Sequence, residues 1–191
     1  MAQSDNNLSS LEKQLCFIQD TLYTLRQNYP YTNDDYCDSL QNRFSILLEE
    51  LCTADKGMKY DFRKLRKEER QFTIAVSTDG NMRAFSRNTY FGGSMPLFAS
   101  YIQYKDKEHT YFFNINNDND MGVCYDTIYS IEASDKRYYL LSGTSQIATA
   151  YPLAVMKAVS FANGELKKET IFVSGLSLIH ISEPTRRSYI S

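Results

Sequence analysis

The sequence predicts an α+β fold: an N-terminal antiparallel helical hairpin followed by an antiparallel β-meander that curves into an open sheet or half-barrel. Three observations predict it. Apolar residues recur at steps of three and four over two stretches before residue 57, the period changes to two from Lys59 onward, and four pairs of β-rich runs are separated by turn-forming stretches with no helix between them.

The elements follow in order. Leu8, Leu11, Leu15, Ile18, Leu22 and Leu25 lie on one stripe of a first helix, for which Ser9 and Glu12 offer a capping box. Asn28-Tyr29-Pro30 ends it, because the residue before a proline is pushed out of helical geometry. Asn33-Asp34-Asp35 then starts a second helix, with Tyr36, Leu40, Phe44, Leu47 and Leu51 as its apolar stripe and an end near Gly57. A short connection between helices of similar length makes an antiparallel hairpin. Its stripe is too short for a sustained coiled coil and is expected to pack on the rest of the chain.

Four hairpins follow. Phe72–Ser77 and Met82–Ser86 flank Thr78-Asp79-Gly80-Asn81, whose Asp-Gly pair is a strong turn signal. Phe98–Tyr104 pairs with Thr110–Ile115, Cys124–Ile131 with Arg137–Ser142, and Val155–Phe161 with Glu165–Val173 across Ala162-Asn163-Gly164. No blade-length repeat recurs, so a propeller is disfavoured. The expected organisation is a helical hairpin over 1–57, a β domain over 58–175 and a separate tail over 176–191.

Composition narrows the function classes. In a chain of 191 residues, 21 Lys and Arg stand against 23 Asp and Glu, a net charge of -2, which supplies neither the basic surface that nucleic acid requires nor a polybasic membrane anchor. The longest apolar runs, such as 148–155, are too short to span a bilayer. The expected partners are therefore a small molecule, a glycan or a protein. Leu176-Ser177-Leu178-Ile179-His180-Ile181-Ser182-Glu183-Pro184-Thr185-Arg186 resembles, residue for residue, the translation of a transposase adapter used in library sequencing. The tail is therefore expected to be non-native and the β domain to be truncated near Gly175. Without the tail, His109 is the only histidine, which leaves little material for a nucleophile–base pair or a zinc site. Met1-Ala2-Gln3 reads either as the end of an export signal or as a short polar start.

One stretch carries a resemblance. Thr73-Ile74-Ala75-Val76-Ser77-Thr78-Asp79-Gly80-Asn81-Met82-Arg83-Ala84-Phe85-Ser86 leads into Gly92-Gly93-Ser94-Met95 and then Tyr101-Ile102-Gln103-Tyr104. This resembles a family of uncharacterised exported proteins of anaerobic gut bacteria, in which a strand, a Ser-x-Asp-Gly turn and a second strand precede a Gly-Gly-Thr-Met loop. Here Arg87-Asn88 stands where the family has Trp-Asp, and Ser94 where Thr is usual. The resemblance implies export, to the periplasm or the medium, and a helix pair before a sheet; it implies no catalytic residue.

Two candidate sites emerge from the residues. The first is the loop leaving the first hairpin. Arg87 offers a planar fork of donors, Asn88 and Ser94 polar handles, Tyr90 flat apolar surface, and Gly92-Gly93 close backbone approach, which together suit an anionic or sugar-like ligand. That reading requires Arg87 to be exposed beside a concavity shared with the 116–120 loop or the helical pair; otherwise Gly92-Gly93 only turns the chain. The second is Asn116, Asp118 and Asp120, whose alternate spacing resembles a calcium loop. Met121 stands where such a loop needs Gly and Thr127 where it needs Glu, so a polar connection is the simpler reading and calcium a weak one.

Cys16, Cys37, Cys52 and Cys124 form no Cys-x-x-Cys pair. Their even number fits either disulfides or buried thiols. Fifteen tyrosines and no tryptophan fit either cross-strand packing or surfaces that stack on sugars. The expected function is a non-catalytic binding or structural module of an exported protein. The competing readings are a hydrolase fragment with catalytic residues beyond the cut and a cytosolic interaction protein.

Overall fold

The computed structural model describes residues 2–28, 35–91, 95–107, 109–116, 122–133, 136–148 and 151–170, with side chains described from residue 6 onward except at 147, 148 and 151. Two consecutive helices, α1 (Ala2–Asn28) and α2 (Asp35–Thr53), precede eight strands. These are β1 (Phe72–Val76), β2 (Met82–Asn88), β3 (Phe98–Asp106), β4 (His109–Asn114), β5 (Cys124–Ala133), β6 (Lys136–Ala148), β7 (Tyr151–Ala162) and β8 (Glu165–Glu169). The meander divides into two four-stranded antiparallel sheets, β1-β2-β3-β4 and β5-β6-β7-β8, neither of them closed. Ile171–Val173, expected to extend the last strand, and the 176–191 tail lie outside the described residues.

The first sheet is the middle layer, and the alternation of a strand explains how one short segment serves two cores. On β2, which is buried throughout, Met82 and Ala84 join Ala75, Ile102, Ile128, Tyr139 and Leu141 between the sheets. Phe85 faces the other way and joins Phe62, Phe72, Phe44 and the leucines of both helices. Phe62, Phe72 and Phe85 meet with ring centroids 5.4 to 6.0 Å apart. Each fully buried ring contributes roughly 1.5–3 kcal/mol relative to exposure.

Polar side chains stitch the layers. Ser86 Oγ accepts the Tyr125 backbone N–H at 3.0 Å, and Ser100 Oγ donates to the Val123 carbonyl at 2.6 Å. Both face the second sheet, where a buried hydroxyl needs a partner. On the opposite face, Gln103 Nε2 donates to the Cys52 carbonyl at the end of α2, 2.7 Å away.

Several expectations are corrected. Ser9 and Glu12 do not cap α1, which already begins at Ala2. Glu12 is buried, with Leu8, Leu15 and Leu22 on its face of the helix. Tyr36 is 55% exposed, and Cys37 takes the buried place at that end of the α2 stripe because the helix face turns one residue further. β6 and β7 run several residues past the expected limits. The polar segment Gly143-Thr144-Ser145-Gln146 stays paired with Pro152–Val155 instead of turning.

Candidate functional site

A cleft of about 450 Å³ opens where α2 lies over one end of the first sheet. Five segments supply most of its lining. From α2 come Asp38, Gln41, Asn42 and Ser45, which recur at three- and four-residue steps and so share a helix face. Arg87, Thr89 and Phe91 come from the end of β2 and beyond, and Phe98–Tyr101 from the start of β3. Asn114, Ile115 and Asn116 leave β4, while Gly122, Val123 and Tyr125 enter β5.

Ser100 ties these segments together. Its backbone N–H donates to Asn116 Oδ1 at 2.6 Å, its carbonyl accepts the Ile115 N–H at 3.2 Å, and its hydroxyl holds Val123. Thr89 N–H donates to the Leu97 carbonyl at 2.8 Å, which draws the two limbs of the β2–β3 connection together. Gln41 Nε2 donates to the Thr89 carbonyl at 3.0 Å, which fastens α2 to the same connection.

Arg87 lines this cleft, yet it is 1% exposed and not the surface residue that the sequence reading required. β2 is covered on both faces, and Arg87 points toward the helices. Its Nη1 donates to Gln19 Oε1 at 3.4 Å, its Nη2 donates to Gln41 Oε1, and its guanidinium carbon lies 4.3 Å from the centre of the Phe44 ring. Nε is buried and makes no hydrogen bond.

The other predicted residues divide. Asn88 turns away from the cleft: Nδ2 donates to Gln71 Oε1 at 2.7 Å, and Oδ1 accepts the Tyr90 N–H at 2.8 Å. That local hydrogen bond accompanies a positive φ of 66° at Tyr90. Tyr90 is buried against the edge of Tyr23, and burial pushes its hydroxyl above the ordinary tyrosine range. Neither residue lines the cleft. Gly92, Gly93 and Ser94 lie outside the described residues.

Of the suggested calcium ligands, Asp118 and Asp120 also lie outside the described residues. Asn116 lines the cleft with its carbonyl engaged by Ser100, while its Nδ2 donates to Asn114 Oδ1 at 2.5 Å. Among the described residues, no group of three His, Cys, Asp or Glu side chains is placed to hold a metal ion. All four cysteines are free thiols, and burial raises Cys16, Cys52 and Cys124 above the ordinary thiol range.

Sequence reasoning missed Gln19, Gln41, Asn42 and Ser45. A signal for two of them existed. Gln19 falls between Leu15 and Leu22 in the heptad stepping of α1, and Gln41 falls between Cys37 and Phe44 in α2, so each is a polar residue in phase with an apolar stripe. A second cavity of about 420 Å³ opens between the sheets beside β8, lined chiefly by Ile102, Leu141, Met156, Val159 and Leu166. It shares Ile115, Tyr125 and Lys157 with the first but has few converging polar groups. No helix among the described residues is long and apolar enough to cross a membrane.

No family model, curated protein or solved structure matches the chain.

Proposed function

We propose that this protein is a non-catalytic binding module of an exported protein and that the cleft beneath α2 seats a small polar or sugar-like ligand. The observation that carries the reading is the convergence of Gln41, Asn42, Ser45, Thr89, Asn114 and Asn116 in one concave volume. Phe91, Phe98, Tyr101 and Tyr125 supply its flat walls. Planar amides and hydroxyls match the alternating donors and acceptors of a polyol, and aromatic faces cover the apolar face of a sugar ring. The volume falls within the range of small-molecule sites. Among the described residues, the lining holds no histidine and one carboxylate, Asp38, a set better suited to holding a ligand than to turning it over. Export rests on the resemblance of the Thr73–Met95 stretch, and cell fractionation tests it separately.

Thermal melting in the presence of a panel of neutral and acidic monosaccharides and oligosaccharides tests the binding reading. Asn42 is exposed on α2 at the cleft, so Asn42→Trp fills the volume without disturbing the core. A stabilising sugar whose effect disappears in Asn42→Trp supports the reading. Stabilisation by none of the panel, or equal stabilisation of both proteins, overturns it.

A further inference from the structure

We infer that the ligand of this cleft carries a carboxylate and that Arg87 is its counter-charge, an inference that rests on the binding reading above. A guanidinium stays protonated at any pH a protein survives, so its burial must be compensated by acceptors or an anion. Among the described residues no carboxylate lies within 4.0 Å of Arg87. Its acceptors are two neutral amide oxygens, from Gln19 and Gln41, and Nε has none.

A second arginine on the same face of β2 is held differently, with both terminal nitrogens on backbone carbonyls. Arg83 donates to the carbonyls of Gly57, Met58 and Tyr60 at 3.1, 2.8 and 3.0 Å and lies over the rings of Phe62 and Phe85. It has no unpartnered nitrogen among its buried atoms. Arg87 differs in the two respects that matter: it lines the cleft, and its hydrogen-bonding capacity is incomplete.

A planar carboxylate pairs with two adjacent guanidinium N–H groups, which a hydroxyl cannot do. Gln41 Oε1 now holds Nη2 from the cleft side. It occupies the place a ligand oxygen takes, and binding requires its amide to swing aside. Together with the amide and aromatic lining, this geometry assigns an acidic sugar, such as a uronate, as the ligand class.

The test titrates the full chain, labelled with ¹⁵N, at constant ionic strength. The probes are sodium glucuronate, glucose as its uncharged counterpart, sodium acetate and sodium sulfate. The readout is the Arg87 Nε–H cross-peak. Glucuronate is expected to shift this peak and to bind at least tenfold more tightly than glucose, with acetate producing the same shift more weakly. Gln41→Glu supplies an internal carboxylate. It should lose at least tenfold in glucuronate affinity while remaining folded, although it gives up the donor to the Thr89 carbonyl.

Glucose binding as tightly as glucuronate overturns the charge assignment and leaves the binding reading standing. A response to sulfate without one to glucuronate or acetate overturns the carboxylate. An unmoved Arg87 peak with every anion, or full glucuronate affinity in Gln41→Glu, overturns the role of Arg87. Failure of all four probes, and of the wider sugar panel, removes the binding reading as well.

Discussion

Tyr60 donates its hydroxyl to Glu12 Oε2 at 2.8 Å, and Glu12 Oε1 accepts the backbone N–H groups of Lys64 and Leu65 at 2.6 and 3.1 Å. One buried carboxylate on α1 thus fixes the segment that leads from α2 into β1. Burial and the hydrogen bond to Glu12 push the Tyr60 hydroxyl well above the ordinary tyrosine range. Glu12→Ala strands two backbone donors and a phenol, and should cost about 2–4 kcal/mol, since each orphaned buried group costs about 1–3 kcal/mol. Glu12→Gln keeps an acceptor and should cost about half as much. Urea denaturation measures both; equal losses would mean that the carboxylate charge, not packing or the presence of an acceptor, fixes this segment.

Asp79 performs a similar task between the sheets, and its stabilising effect depends on pH. Burial pushes its carboxyl upward, but hydrogen bonds from Ser77, from the Asn81 backbone and side chain, and from Tyr139 outweigh this and hold it below the usual carboxylate range. A carboxyl lowered by folding binds its proton more readily in the unfolded chain. It therefore stabilises the fold above the unfolded value and loses that effect as pH falls through the folded value. The stability advantage of the wild type over Asp79→Asn should be constant near neutrality and shrink from about pH 5 to about pH 3, around the unperturbed aspartate value. Denaturation midpoints of both proteins across that interval check it, and a gap that widens with acid would refute the assignment.

The contrast between the two arginines of β2 gives a direct comparison of stability. Arg83→Met removes the donors for three backbone carbonyls that have no freedom to reorient, which should cost about 2–4 kcal/mol. Arg87→Met removes an incompletely satisfied buried charge whose acceptors are rotatable side-chain amides. Replacing such a charge by an apolar chain of similar length is often close to neutral, so a loss of about 1 kcal/mol or less is expected. Chemical denaturation of the pair decides it; an Arg87→Met loss matching that of Arg83→Met would show that Arg87 serves the fold alone.

The order and type of the elements were legible in the sequence because they rest on local chemistry. The Asp-Gly and Asn-Gly turns mark their hairpins, and Gly80 and Gly164 adopt the positive φ those turns require. The division into two stacked sheets was not legible. It depends on side-chain partners far apart in sequence, such as Ser86 with Tyr125 and Asp79 with Tyr139. The same limit explains the site. Arg87 was singled out from its chemistry as a loop donor, but alternation along β2 and the helices above decide that it is buried. Gln41 is its partner because α2 crosses the strand, a placement that no local pattern encodes.

A side chain at Gly122 would clash with backbone at the rim of the cleft. Gly122 and Gly80 have nearly the same positive φ, 70° and 74°, so replacing either by alanine incurs a similar conformational cost of about 1–2 kcal/mol. Their surroundings differ. A Cβ on Gly122 would sit 1.8 Å from the Phe98 carbonyl oxygen and 2.7 Å from its carbon, whereas a Cβ on Gly80 would meet nothing within 4 Å. The Phe98 backbone belongs to a paired strand and cannot yield as a flexible side chain would, so β3 and the entry to β5 must separate. Because Val123, next to Gly122, is the residue that Ser100 holds, the separation would also open the cleft. Gly122→Ala should therefore cost at least about 2 kcal/mol more than Gly80→Ala, within the range of severe single substitutions. It should also weaken any ligand that Asn42→Trp excludes, whereas Gly80→Ala should leave binding unchanged. Equal losses of stability in the two variants would show that the close approach of Gly122 to Phe98 does not hold this end of the sheet together.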